Sequence, residues 1–252
     1  MKIQYCSDLH LEFPDNKRFM ETHPIIPNGE ILILAGDIVP FQLIEKHADF
    51  FNYISENFKS TYWIPGNHEY YGYDLANKRG AFIEKIRANV FLVNNLLVQE
   101  GDINLIFSTL WTDISPQNEW FISQNISDFR VIKYNSLPFT TLNYNEQHRE
   151  CLRFITDAVK QVNKGKTLVV THHAPTQMNY PEQYKGSRLN EAFAVELYDF
   201  IFANNVDYWI YGHHHYNTPS FSIGHTTMLT NQLGYIQYRE DKNYRRDIYI
   251  DF

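Results

Sequence analysis

The chain has 252 residues, of which 44% are hydrophobic and 20% charged, and its formal net charge is −7. This composition predicts a folded protein with a sizeable core and excludes a disordered chain. The acidic balance argues against a protein that grips a nucleic-acid backbone, which needs a basic surface, so no nucleic-acid partner is expected.

The N-terminus and the cysteines predict where the protein works. Residues 1–6 run directly into a strand pattern, without a long apolar stretch behind a basic start, so we expect no signal peptide. No run approaches ~20 apolar residues, so neither a transmembrane helix nor a membrane partner is expected. Cys6 and Cys151 give no disulfide framework and fit a reducing compartment. The sequence predicts a cytoplasmic protein and shows no obligate protein partner.

The first half of the chain alternates strand patterns with helix patterns. The predicted strands are Ile3–Cys6, Ile31–Ala35, Thr61–Ile64, Val90–Val93, Leu96–Gln99 and Ile103–Leu110. The predicted helices are Phe41–Phe58 and Leu75–Ala88. Such alternation is typical of parallel strand–helix–strand units in an α/β protein.

The second half begins with an irregular stretch. Residues 111–141 show no clear period, and an ordered stretch of this kind often covers a functional site. Helices are predicted from Glu146 to Val162 and over Leu189–Phe202. The predicted strands are Thr167–Thr171, Tyr208–Tyr211, Thr226–Leu229, Tyr235–Tyr238 and Asp247–Ile250. Because no linker or repeat interrupts the chain, we predict one domain over residues 1–252.

Three consecutive histidines follow the predicted strand Tyr208–Tyr211. Alternate residues of an extended segment share a face, so the side chains of His213 and His215 are expected to aim at a common point. That spacing suits metal binding. Taken alone, Gly212–His215 is equally compatible with a solvated loop tip.

Metal-competent side chains also follow four other predicted strands. The full set is Asp8, His10, Asp37, Asn67, His68, His172, His173, His213 and His215. In open α/β sheets ligands bind beyond the carboxyl ends of the strands, so these side chains are expected to converge. One of them alone has an ordinary explanation, such as Asp37 as a helix N-cap, but packing does not explain five strand ends together.

The donor chemistry narrows the choice of metal. Imidazole and carboxylate donors without thiolate suit Mn, Fe, Co, Ni or Zn. At least seven of these side chains are candidate donors, which is too many for one ion that keeps positions open for water and substrate. They suit two divalent ions about 3.5–4 Å apart that share a carboxylate, and Asp37 is the natural bridge.

The motif order resembles that of the calcineurin-like metallophosphoesterase superfamily, especially its short, single-domain bacterial members. The matching blocks are Asp8-x-His10, Gly36-Asp37, Gly66-Asn67-His68-Glu69, His172 and Gly212-His213-x-His215. The resemblance implies an α/β fold, a four-layer αββα sandwich with two mixed β-sheets and the site at one edge.

The resemblance also implies the roles of the motif residues. One metal ion would be bound by Asp8, His10, Asp37 and His215, and the other by Asp37, Asn67, His172 and His213. Of the two adjacent histidines, His172 is preferred over His173 because it comes first after the strand. The motif histidine, His68, would be the general acid or transition-state stabiliser. Manganese is the favoured metal.

The activity implied is hydrolysis of a phosphate ester by a hydroxide shared between the two ions. Protein Ser/Thr phosphatases of this superfamily carry an Asp-Arg pair after Gly-Asp, and residues 38–41 contain no arginine. A phosphodiester or small phosphomonoester substrate is therefore favoured. A protein phosphatase, a nuclease and a non-catalytic metal-binding scaffold are the alternatives.

Two further sets of residues are candidates for secondary roles at the site. Arg130, in the irregular stretch, and Arg149, at the start of a predicted helix, are candidates to contact the substrate phosphate, and Arg130 is preferred. The aromatic candidates for stacking on a base or sugar are Trp111, Trp120, Phe121 and Phe129. Glu69 is interpreted either as a group that orients His68 or as a surface carboxylate.

Overall fold

The computed structural model describes residues 1–252. Its strands are β1 Lys2–Cys6, β2 Ile31–Ala35, β3 Ser60–Ile64, β4 Phe82–Arg87, β5 Val90–Asn94, β6 Leu96–Glu100, β7 Ile103–Ser108, β8 Lys133–Tyr134, β9 Leu137–Pro138, β10 Lys166–Thr171, β11 Tyr208–Ile210, β12 Phe221–Ile223, β13 Thr226–Leu229 and β14 Tyr249–Asp251. Its α-helices are α1 Pro14–Thr22, α2 Ala48–Asn57, α3 Glu119–Asn125, α4 Asp128–Val131, α5 Thr141–Gln161 and α6 Tyr198–Ala203. None of the helices combines the length and apolar character needed to cross a membrane.

Two six-stranded mixed sheets form the centre of the molecule. The first has the strand order β14-β1-β2-β3-β5-β4, and the second has the order β12-β13-β11-β10-β7-β6. In both sheets the four central strands run parallel, and each edge strand is antiparallel to its neighbour. The helices α1 and α2 return the chain between β1, β2 and β3; α2 lies within the helix predicted over Phe41–Phe58, whereas α1 was not predicted.

The alternation of side chains along the strands builds the layers of the core. On β2, Ile31 and Ile33 belong to the apolar cluster between the two sheets. Leu32 and Leu34, on the opposite face, pack in a second cluster that includes Phe51 of α2. Both faces of this strand are therefore buried, which explains its continuous apolar sequence.

The second sheet is covered on its outer face by α5 and α6. Val169 and Trp209 of the sheet share an apolar cluster with Ile155 of α5 and Ile201 of α6. The layers are helix, sheet, sheet and helix. This confirms the predicted four-layer αββα sandwich with two mixed sheets.

The helix predicted over Leu75–Ala88 is wrong. A short 3₁₀ turn covers Leu75–Asn77, and β4 then pairs antiparallel with β5 at the sheet edge. Gly80, at φ 68°, breaks the helical path, and its carbonyl accepts a hydrogen bond of 2.8 Å from Asn94 Nδ2. Pairing to the edge of a formed sheet overrides the helical spacing of the apolar residues here.

The helix predicted over Leu189–Phe202 is also interrupted. A 3₁₀ helix covers Arg188–Ala192, and α6 begins only at Tyr198. Between them the backbone pairs with Ala174, whose amide donates to the Phe193 carbonyl at 3.2 Å and whose carbonyl accepts from the Val195 amide at 3.0 Å. The intervening segment is therefore extended.

Three further predictions differ from the structure at turns and caps. Tyr235–Tyr238 is not a strand, because a 3₁₀ turn follows Gly234, which has φ 68°. Residues 111–141 contain α3, α4 and the β8–β9 hairpin rather than irregular backbone alone. The helix predicted from Glu146 begins at Thr141, because Thr140 and Asn143 form a reciprocal capping box.

Candidate metal centre

Seven of the side chains singled out as metal ligands lie at one edge of the molecule, beyond the carboxyl ends of parallel strands. Three strands of the first sheet, β1, β2 and β3, and two of the second, β10 and β11, lead into them. The side chains are Asp8, His10, Asp37, Asn67, His172, His213 and His215. All except the partly exposed His215 are buried.

Their donor atoms form two clusters that share one carboxylate. The first cluster consists of Asp8, His10, Asp37 and His215. The second consists of Asp37, His172 and His213. Within each cluster the donor atoms lie within 4.8 Å of one another. Asn67 adjoins the second cluster, with Oδ1 3.3 Å from His172 Nε2. Asp37 lies where a bridge between two ions would be required.

The backbone is strained at five of these residues. Asp8, His10, Asp37, His213 and His215 have φ values of 55°, 47°, 55°, 77° and 50°. Residues other than glycine rarely adopt positive φ values, and such strain concentrates at functional sites. The expectation that His213 and His215 aim at a common point is wrong. The backbone turns at both residues, so that each joins a different cluster.

In the first cluster, the hydrogen bonds of His10 and His215 leave one nitrogen of each ring free to bind a cation. His10 Nδ1 lies 3.3 Å from Glu12 Oε1, and His215 Nδ1 lies 2.8 Å from Glu240 Oε2. Each Nδ1–H is therefore donated to a carboxylate. The two Nε2 atoms face each other at 2.9 Å with their lone pairs, an arrangement that only a proton or a cation between them can stabilise.

The second cluster repeats this arrangement. His172 Nδ1 donates to the Ala35 carbonyl at 2.9 Å, and His213 Nε2 faces the Ala192 carbonyl at 3.3 Å. The remaining nitrogens, His172 Nε2 and His213 Nδ1, face each other at 3.1 Å. Outward hydrogen bonds to carbonyls are typical partners of metal-binding imidazoles. The residues of both clusters therefore fit divalent cations.

The carboxylates of the clusters are held in the ionised form that binds cations. Burial raises the pKa of Asp37, but the imidazoles of His172 and His68 outweigh burial and hold that pKa well below its ordinary value. Asp8 is affected in the same way, because His215 outweighs burial and lowers its pKa.

The other histidines of the motif region have different partners. His173 Nε2 lies 3.3 Å from the Tyr144 hydroxyl, and its Nδ1 lies 3.3 Å from the Thr109 carbonyl. Burial lowers the pKa of His173 to about 3. His214 Nδ1 accepts from Gln232 Nε2 at 3.0 Å. Neither histidine belongs to a donor cluster, so the structure brings His172 rather than His173 to the site.

His68 lies beside the clusters and faces an open cavity. Its amide donates to Asp37 Oδ1 at 2.9 Å, and its Nδ1 is 2.8 Å from Glu12 Oε1. Its ring stacks on Tyr71 with centroids 4.0 Å apart, and its Nε2 is 3.3 Å from the Tyr235 hydroxyl. Burial lowers the pKa of His68, but Asp37 and Glu12 outweigh it and raise that pKa, which favours the proton-donating form.

Three acidic residues near the site were missed by the sequence reasoning. Glu12 contacts both His10 and His68, Glu240 contacts His215, and Asp128 Oδ1 accepts from Asn67 Nδ2 at 2.9 Å. Glu12 had a signal, because it continues the every-second-residue series begun by Asp8 and His10. Glu240 and Asp128 lie in segments that carry no motif.

Glu69 is neither an orienting group for His68 nor a surface carboxylate. It is fully buried, and its oxygens accept hydrogen bonds from the amides of Asp37, Ile38, Val39 and Gly66 and from Trp63 Nε1. Burial raises the pKa of Glu69, and these donors oppose that shift because each needs an acceptor oxygen. Glu69 therefore fixes the two loops that present Asp37 and Asn67.

A cavity opens in front of His68 and both clusters. Its empty volume is about 980 Å³, part of it open solvent, and Asn125 to Asp128 of the predicted covering stretch contribute to its wall. Arg130 does not line it, and its Nη1 donates to the Gln124 carbonyl at 2.9 Å. None of the four aromatic candidates lines the cavity; Trp111 is buried in the core and Trp120 is 75% exposed.

The chain belongs to the calcineurin-like phosphoesterase family, because the family model described as "Calcineurin-like phosphoesterase" matches residues 1–217. The protein is therefore a metallophosphoesterase, a hydrolase of phosphoric esters, and its family implies divalent metal ions.

Individual proteins are also similar to the chain. The chain is 34% identical to the uncharacterized protein L509 of Acanthamoeba polyphaga mimivirus, across 99% of this chain and 96% of that protein. It shares its fold with the phosphopantetheinyl hydrolase of Mycobacterium tuberculosis, with a TM-score of 0.69 and 16% identity over 97% and 94% of the two chains. A dimetal phosphatase from Danio rerio aligns more weakly, with a TM-score of 0.45 and 12% identity over 92% and 87%.

Replacing Glu12 with glutamine is expected to lower kcat by roughly 10- to 100-fold, the range found for groups that orient metal-site residues. One oxygen of Glu12 accepts from both His10 and His68, and a glutamine that turns its amide nitrogen toward them cannot accept either hydrogen bond. Steady-state kinetics measures the change, with Glu12→Asp as the variant that restores part of kcat. A loss confined to KM would contradict a positioning role.

Replacing Gly66 with alanine is expected to weaken metal binding by roughly 10- to 100-fold. A Cβ at this position would lie 2.2 Å from Asp37 Oδ1 and 2.6 Å from His172 Nε2, so the shared carboxylate must move. Calorimetric titration with Mn²⁺ measures the affinity. Gly101→Ala is the control for backbone strain alone, because its φ of 60° is unfavourable for alanine but a Cβ there meets no atom within 4 Å. Wild-type affinity in the Gly66 variant would show that the carboxylate does not need this position.

Proposed function

We propose that this metallophosphoesterase is a dinuclear enzyme that hydrolyses phosphodiesters or small phosphomonoesters. The observation that carries the proposal is the shared position of Asp37 between two buried clusters, each with a pair of imidazole lone pairs that face each other. The first ion would be held by Asp8, His10, Asp37 and His215. The second would be held by Asp37, Asn67, His172 and His213. Manganese is the proposed metal.

A pair of bound divalent ions would lower the pKa of water and neutralise phosphoryl oxygens. The residues of the chain supply the rest of the chemistry. Glu12 accepts from Nδ1 of His68 and directs Nε2 into the cavity, where a leaving oxygen can receive its proton or hydrogen bond. The Tyr235 hydroxyl, 3.3 Å from that nitrogen, holds the ring at the cavity wall.

The alternatives differ in substrate or in catalysis. The segment after Asp37 contains no arginine, and the cavity wall contains none either, which disfavours the protein phosphatase. The net charge of −7 disfavours the nuclease. A non-catalytic scaffold does not need His68 at the cavity wall with a carboxylate partner.

The test compares bis(p-nitrophenyl) phosphate with p-nitrophenyl phosphate on metal-stripped protein to which Mn²⁺ is returned. Metal-dependent hydrolysis that is faster on the diester supports a phosphodiesterase, and faster hydrolysis of the monoester supports a phosphatase. Fe²⁺, Co²⁺, Ni²⁺ and Zn²⁺ are compared at equal occupancy. No hydrolysis of either ester with two ions bound would support the scaffold instead.

The prediction that Arg130 contacts the substrate phosphate is tested by Arg130→Ala. Its guanidinium bonds to the Gln124 carbonyl and to Ser127 Oγ, so we expect KM to change by less than about threefold. The loss of a charge-assisted hydrogen bond to the substrate would raise KM by more than that. Arg149→Ala on the exposed face of α5 is the matched control. A larger rise in KM for Arg130→Ala alone would establish the contact.

A further inference from the structure

The cavity beside His68 has three carboxylates in its wall, and its only basic side chains are histidines. Its 20 lining residues include the carboxylates of Asp37, Asp128 and Glu240 but neither lysine nor arginine. Proteins hold phosphate groups with arginine, lysine, metal ions or backbone amides. In this cavity the metal clusters are therefore the place where one phosphoryl group can be neutralised.

The basic residues of the adjoining loop are engaged elsewhere. Lys185 Nζ lies 2.5 Å from Glu182 Oε1, and neither residue lines the cavity. Arg188 Nε donates to Asn118 Oδ1 at 2.8 Å, and its guanidinium lies 4.4 Å from the centre of the Phe121 ring. These contacts keep both cations outside the cavity wall.

A further part of the wall is uncharged. Tyr180, Tyr184, Leu189 and Phe193 line it, and Phe193 stacks on the ring of His213 with centroids 4.7 Å apart. Aromatic and aliphatic surfaces of this kind bind uncharged organic groups.

We propose that the substrate carries one phosphoryl group and that the organic group it bears has no further negative charge. This inference rests on the proposed function and defines its substrate class. A second phosphate in the cavity would approach Asp128 and Glu240, whose own partners are Asn67, Tyr71 and His215, and it would find no lysine or arginine. Placing such an unpaired charge beside carboxylates is costly. The wall thereby rejects nucleoside di- and triphosphates and nucleic-acid strands.

The test uses two substrates that differ by one phosphate. Thymidine 5′-(4-nitrophenyl phosphate) has an uncharged nucleoside, and the same molecule with a 3′-phosphate adds one anionic group. Initial rates of nitrophenolate release by the Mn²⁺-loaded protein give kcat/KM for both. We expect the added phosphate to lower kcat/KM by about tenfold or more at low salt. In 0.5 M KCl the difference in kcat/KM between the two substrates should become smaller, because salt screens like-charge repulsion.

The outcomes separate the two proposals. Equal kcat/KM for both substrates would overturn the inference and leave the phosphodiesterase in place. A large ratio that salt does not change would also overturn it, because exclusion would then be steric. No hydrolysis of either thymidine ester, or of the simple nitrophenyl esters, would remove the proposed function and the inference with it.

A variant tests the wall directly. Ser187 lines the cavity and is exposed, so Ser187→Lys places a cation in the wall, and Ser187→Gln is the neutral control of similar size. Both variants lose the hydrogen bond from the Leu189 amide to Ser187 Oγ. The lysine variant alone should reduce the ratio of the two kcat/KM values severalfold. If the ratio of the two kcat/KM values were unchanged in both variants, the charge of the wall would not be what selects between the substrates.

Discussion

The Asp37→Asn variant is expected to retain fewer than two metal ions per chain and to lose on the order of a thousandfold in phosphodiester hydrolysis, since metal ions contribute several kcal/mol to such reactions. Asp37 is the one carboxylate common to both donor clusters. An asparagine offers a single oxygen and carries no negative charge, so it cannot replace a carboxylate that binds two cations. Metal content by mass spectrometry and kcat/KM for bis(p-nitrophenyl) phosphate measure the two effects.

The Asp37→Asn variant also disturbs the position and the protonation of His68. Asp37 Oδ1 accepts the His68 amide at 2.9 Å, and its charge favours the protonated ring. The control is Asp113→Asn, which removes a carboxylate at an exposed position and should keep both ions. If Asp37→Asn bound two ions with wild-type affinity, the shared carboxylate would not be a bridge.

The His68→Ala variant is expected to lose roughly 10²- to 10⁴-fold in kcat, the range for general acid catalysis, while its metal content stays unchanged. The two clusters around Asp37 do not include His68, which groups instead with His10 and Glu12, so we expect both ions to remain when its ring is removed. The loss should be largest for an alkyl leaving group, which needs a proton, and smaller for nitrophenolate, which leaves readily without one.

That dependence distinguishes the two roles considered for His68. An equal loss with both leaving groups would indicate transition-state stabilisation rather than proton transfer. His225→Ala removes an exposed imidazole and serves as the control. Full activity of His68→Ala on every ester would contradict both roles.

The sequence predicted the centre of the molecule well because its signals are local. Each parallel strand is a short apolar run, and the polar residues at its end are adjacent in sequence. The carboxyl ends of parallel strands meet at one edge, so Asp8, Asp37 and His172 could be placed together before any coordinates. The expectation that Asp37 is shared between two groups of donors followed from counting donors.

Other features depend on partners that are distant in sequence. β4 is a strand because β5 offers an edge, although its apolar spacing is helical. Glu240 reaches His215 from a 3₁₀ turn 25 residues away, and Asp128 reaches Asn67 from a segment 61 residues away. The charge of the cavity wall could not be read from the sequence, because exposed cations such as Arg188 bond outside it.

The shared carboxylate has a thermodynamic consequence. Under the proposed ligation, the two occupancies form one linked equilibrium, because an ion at either cluster changes the charge and orientation of Asp37 that the other ion meets. Linkage is reciprocal, so whatever factor the first ion imposes on the affinity of the second, the second imposes on the first. The population of half-loaded protein is therefore set by that factor, and the loss of either ion changes the retention of both.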